Sequence, residues 1–87
     1  MANVYGIYNR KTQSIEYVGQ TINSINNRWH EHKSQGKRGK GVPFDRYMAK
    51  EGFENFQIIR LEECYKWQLK EKERLFIELL KPKGNIR

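Results

Sequence analysis

Apolar and polar positions in this chain switch between strand and helix spacing. Residues 4–8, Val-Tyr-Gly-Ile-Tyr, alternate in a strand sense, with Val4, Gly6 and Tyr8 on one face and Tyr5 and Ile7 on the other. Residues 14–19 do likewise, Ile15, Tyr17 and Gly19 opposing Glu16 and Val18. The short polar stretch NRKTQ between them predicts a β-hairpin. A hairpin symmetric about Thr12 and Gln13 sets Tyr8 opposite Tyr17 and Gly6 opposite Gly19. Both phenols then share one face beside a bare patch of backbone.

Helical spacing follows. Asn23 or Ser24 is the expected N-cap of a helix running to Gly36, a C′ residue by type. Its inward positions are Ile25, Arg28, Trp29 and His32, so a guanidinium and an imidazole stand where aliphatic groups are expected. A surface helix with both groups facing water explains either residue alone better than it explains the pair. The segment KRGKGV reads as a loop without the order of a P-loop. Pro43 opens a short helix, PFDRYMAKEG, ending at Gly52, and ENFQIIRLEEC is a third strand. A long helix then runs from Lys66 to the Pro82 stop. The order ββααβα predicts an α+β fold, helices packed on a small three-stranded sheet.

The last helix carries a second anomaly. At 100° per residue, Leu69, Phe76, Leu80, Leu79, Leu75 and Ile77 form one broad arc, and Glu73 falls inside it. A carboxylate against apolar neighbours costs several kcal/mol without a compensating partner. Lys72 also lies in the arc, but its long stem can carry the charge to water. A stripe-edge residue reaching solvent is the simpler account of Glu73 taken alone.

With 87 residues, 37% of them hydrophobic, the chain has room for one domain, residues 1–87, with one modest core. No charged segment precedes an apolar one near the start, so neither a signal peptide nor a membrane span is expected, and a cytoplasmic setting follows. Cys64 is the sole cysteine, which excludes an internal disulfide and a cysteine-cluster metal site. Seventeen Lys and Arg against ten Asp and Glu give a net charge of +7, which points to a polyanionic partner. Lys33, Lys37, Arg38 and Lys40 cluster in KSQGKRGKG as candidate nucleic-acid contacts, and Lys81, Lys83 and Arg87 crowd the end.

Gly6-Ile7-Tyr8, Tyr17-Val18-Gly19, Arg28 with His32 four residues on, Glu73 in ERLFIELLKP, and Asn85 occur in this order. Together they resemble the GIY-YIG nuclease domain family, over nearly the whole chain. The resemblance implies a central three-stranded antiparallel sheet and one site for metal-dependent phosphodiester hydrolysis, with DNA the expected substrate. Val18 stands where many members carry isoleucine, and Gln20 where others place lysine, which affects only an auxiliary role.

On this resemblance, Glu73 is the single protein ligand of Mg²⁺ or Mn²⁺, a mode in which water fills the remaining positions. Arg28 holds the scissile phosphate with its planar fork. Tyr8 is the expected general base on the attacking water and Tyr17 orients water or phosphate, with the two roles exchangeable. A free phenol titrates near 10, so working near neutrality requires roughly 3.4 kcal/mol in favour of phenolate. Nearby positive charge can supply it, or His32 can take the proton from Tyr8 or hold its oxygen. His30 points elsewhere, as a surface or phosphate-contacting residue. Asn85 ties the tail to the site through its amide or is an ordinary turn residue. Gly6 and Gly19 keep the sheet face open to the phosphate. The competing expectation is a non-catalytic nucleic-acid-binding module of the same fold, and monomer and homodimer are both open.

Overall fold

The computed structural model describes residues 1–85, so Arg87 lies outside the described residues. Strand β1, Ala2–Asn9, is the middle of a three-stranded antiparallel sheet, between β2, Ser14–Thr21, and β3, Phe56–Cys64. The central position explains why residues 2–7 of β1 are all buried, since layers cover both faces. Helix α1, Ile25–Lys37, and helix α2, Pro43–Glu51, cover one face. Tyr5, Ile7, Phe56 and Ile58 of the sheet meet Ile25 and Trp29 of α1 and Phe44 and Met48 of α2 there. Helix α3, Leu69–Leu80, covers the other, where Val4, Val18 and Cys64 meet Leu69, Phe76 and Ile77. The expected α+β order ββααβα is the order observed.

Local signals set the helix ends. Ser24 caps α1, its hydroxyl accepting from the Asn27 N–H at 3.1 Å, and Pro43 occupies the first turn of α2. Gly36 is not the stop expected of it: α1 continues through Lys37. None of the helices among the described residues is long and apolar enough to cross a membrane.

The hairpin register differs from the symmetric one. Asn9 pairs with Ser14 and Tyr8 with Ile15, after which a bulge on β2 brings Ile7 opposite Tyr17, Gly6 opposite Val18 and Tyr5 opposite Gly19. The turn is organised by Asn9, whose side-chain oxygen accepts from the Lys11 N–H at 2.9 Å, and Gln13 takes the left-handed conformation at φ 57°. Glu16 is the extra residue of the bulge. Its buried carboxylate takes hydrogen bonds from Asn9 at 3.0 Å and Thr12 at 2.9 Å. Changing the register by one position exchanges the faces. Tyr17 therefore shares a face with Ile7 and Tyr5, and Tyr8 alternates onto the α3 side.

The apolar arc of α3 is also narrower than expected. Leu69, Lys72, Glu73, Phe76 and Ile77 turn inward, while Leu75, Leu79 and Leu80 are exposed. Glu73 thus lies within the packed stripe.

Candidate active site

Four side chains meet on the face covered by α1 and α2. The Tyr5 hydroxyl lies 2.7 Å from Nε2 of His32. His32 Nδ1 bonds Oδ1 of Asp45, the third residue of α2. A carboxylate can only accept, so a proton on Nδ1 serves this bond, and in the neutral imidazole that leaves Nε2 as the acceptor for the Tyr5 hydroxyl. Arg28, one turn before His32, brings its guanidinium beside the same phenol. Tyr5, His32 and Asp45 are each no more than 1% exposed. The α1 positions that looked anomalous as a hydrophobic stripe are therefore buried or half-buried for polar reasons.

Tyr17 closes this cluster from β2. Its ring stacks on Phe44 at 5.1 Å and meets the His32 ring edge-on at 5.7 Å. Gly19 faces Tyr5 across the strand pair, and a Cβ there would overlap the phenol. Its bareness accommodates the tyrosine, not an incoming phosphate. Gly6 faces the opposite way, toward Ile15 and Leu61 in the α3-side core, and does not belong to the site.

Tyr8 likewise does not meet Tyr17 or His32 as expected; Tyr5 occupies that place. The alternation of the strand was legible, but the bulge that selects the face was not. No local signal in the sequence marks Asp45, since an acid in the first turn of a helix is ordinary.

Glu73 approaches from the other side of the sheet. Its Oε1 lies 3.4 Å from Nε2 of Gln20, the neighbour of Gly19 on the edge strand. The carboxylate and the Tyr5 cluster do not touch; they flank the Gly19–Gln20 end of β2 from opposite faces. Burial raises the Glu73 carboxyl above the ordinary glutamate range, opposed by the Gln20 hydrogen bond. Lys72 does not neutralise it, because its ammonium pairs with Glu62 on β3 at 3.0 Å. Among the described residues Glu73 has no ion pair, and no group of three His, Cys, Asp or Glu could enclose a metal. A lone half-buried carboxylate suits a hydrated Mg²⁺ and does not suit zinc.

The Tyr5 phenol is pushed up, first by burial; the charge of Arg28 and its hydrogen bond act against this. Arg28 is otherwise only loosely engaged, 3.8 Å from exposed Glu31. Asn85 closes the outer edge of β2, accepting from the Val18 N–H at 2.7 Å and donating to its carbonyl at 2.9 Å. The amide thus substitutes for a neighbouring strand. Lys37, Arg38 and Lys40 are exposed, while Lys33 is half-buried with Nζ 5.5 Å over Trp29. His30 is exposed, as expected.

Comparison with known proteins agrees with this geometry. The structure superposes on the catalytic domain of the homing endonuclease I-TevI with a TM-score of 0.77 and 25% sequence identity, covering 93% of this chain and 89% of that one. A mutant of the same intron endonuclease domain gives 0.78 and 25%, covering 92% and 84%. Two proteins of Invertebrate iridescent virus 6 are similar in sequence. Uncharacterized protein 019R is 34% identical over 59 residues, 68% of this chain, and putative MSV199 domain-containing protein 146R is 35% identical over 60, 69% of this chain. The matches span only 21% and 24% of those viral proteins. The family model of the GIY-YIG catalytic domain matches residues 1–85. The chain belongs to the GIY-YIG catalytic domain family.

Proposed function

We propose that this chain is an endonuclease that hydrolyses DNA phosphodiester bonds with a divalent cation, Mg²⁺ or Mn²⁺. The observation that carries the reading is the meeting of Tyr5, Arg28 and His32 beside the edge strand whose other face borders Glu73. The homing endonuclease domain it resembles belongs to the same reaction class.

Tyr5 takes the role expected of Tyr8. As water attacks phosphorus, one water proton passes to the Tyr5 oxygen while the phenolic proton passes to Nε2 of His32. The new P–O bond forms, the bond to the leaving oxygen breaks, and that oxygen is protonated from solvent. Burial favours such a relay over a standing phenolate, since it pushes the free phenol upward. Arg28 would grip the phosphate oxygens, and Tyr17 would orient water or phosphate beside Tyr5. Glu73 would hold the cation, which supplies charge neutralisation on the phosphate and on the leaving oxygen. Asn85 would keep β2, and with it Tyr17, in place. Lys33, Lys37, Arg38 and Lys40 would hold the DNA backbone, so affinity falls steeply with salt. A free buried Cys64 suits the cytoplasm.

The burial of Tyr5 and His32, 1% and 0% exposed, favours one second reading, a non-cutting nucleic-acid-binding module. A plasmid assay separates them. Mg²⁺ should support nicking of supercoiled DNA, EDTA should stop it, and Glu73→Ala should bind DNA without cutting. Binding without nicking by the wild type selects the second reading. Equal nicking by wild type and Glu73→Ala removes Glu73 from the site.

A further inference from the structure

We propose that Asp45 is a positioning residue that holds His32 in the tautomer whose Nε2 is open to the Tyr5 proton. The inference rests on the nuclease reading for its catalytic consequence, but the tautomer itself is a property of the resting protein.

Three buried groups from three elements are joined in series, phenol on β1, imidazole on α1 and carboxylate on α2. Asp45 divides its two oxygens. Oδ2 lies 3.3 Å from the Val42 N–H at the start of α2, while Oδ1 reaches His32. Capping the helix uses the first oxygen only. The second serves His32, and no Lys or Arg pairs with this carboxylate among the described residues. A buried carboxylate left so is expensive unless its acceptor sites are filled. The imidazole fills one as a neutral donor and gains attraction once Nε2 is protonated. When the Tyr5 proton moves to Nε2 and water re-protonates the phenol, the imidazolium formed faces a fixed negative charge.

The surroundings are shaped around this acid. Gly41 has φ 83°, in the left-handed region, and a Cβ there would overlap Asp45 Oδ2. The loop before α2 therefore needs a residue with no side chain where it passes the carboxylate.

The test is Asp45→Asn, read in two ways. Long-range ¹H–¹⁵N spectra of the full chain, with exposed His30 as internal reference, should show His32 protonated at Nδ1 in the wild type. Asp45→Asn, whose amide can donate to Nδ1, should shift the proton to Nε2. Plasmid nicking should fall about 10²-fold or more in kcat with KM unchanged. Asp45→Asn should add nothing to the loss in a His32→Ala background, whereas a purely structural acid would add its own loss. Wild-type His32 protonated at Nε2, or an unchanged tautomer in Asp45→Asn, overturns the proposal. So does full nicking by a folded Asp45→Asn. If the wild type binds DNA and never nicks, the nuclease reading fails while the spectra still decide the tautomer.

Discussion

Tyr5 and His32 are joined across 2.7 Å although 27 positions separate them in the chain, and both are buried. The bond ties the central strand to α1 and gives the buried phenol a hydrogen-bond partner. Neither partner could be left alone there without an unsatisfied polar atom.

Tyr5→Phe should therefore abolish nicking and also lower stability, by about 1–3 kcal/mol for the stranded imidazole nitrogen. Tyr8→Phe should nick at close to the wild-type rate, because Tyr8 lies on the other face. Plasmid nicking and urea unfolding of the two variants check this. The reverse pattern would return the site to Tyr8.

The contrast between these tyrosines also marks how far the sequence was legible. Element order, a cap at Asn23 or Ser24 and the polar inward stripe of α1 follow from local spacing, and spacing survives folding. The choice between Tyr5 and Tyr8 depends on the Glu16 bulge, which a carboxylate buried among Asn9, Thr12 and Tyr47 stabilises through contacts no window of sequence displays. The tripeptide Gly6-Ile7-Tyr8 matched in letters, but its tyrosine faces the wrong way. Glu73 was visible as a local anomaly, a charge amid apolar residues, although alone it reads as a stripe-edge residue. Asp45 was not, because acids in first helical turns are ordinary.

Glu73→Gln should lose nicking while matching or exceeding the wild-type melting temperature at neutral pH. A carboxyl raised in the folded state binds its proton more tightly there than in the unfolded chain. The native state thus loses stability as pH rises from the ordinary glutamate range through the raised value. The neutral amide removes that loss. Thermal melts at pH 7 and pH 4 should show the variant's advantage only at the higher pH. With Mg²⁺ added, the wild type alone should gain.

Arg28→Lys keeps the charge but loses the planar fork. It should reduce kcat about 10²-fold, the scale of one lost donor at a charge-developing site. Binding of uncut DNA should change little, since Arg28 is one cation among many. Single-turnover nicking beside a binding titration at the same salt separates the two effects. A loss confined to affinity would make Arg28 a docking residue.

Asn85→Ala tests whether the tail supports the site from outside. Two hydrogen bonds to Val18 disappear, and the edge of β2 is left to water, which restores part of what is lost. The net destabilisation should be about 1–2 kcal/mol, from two ordinary hydrogen bonds. For a domain of this size each kcal/mol lowers the melting temperature by roughly 4–8 °C. The Val18 amide should exchange with solvent faster in the variant, and amides of β3, on the far edge, should change less. Because Tyr17 precedes Val18 on the same strand, nicking should fall several-fold at temperatures where the variant is still folded. Unchanged Val18 exchange would show that the edge is held by something other than Asn85.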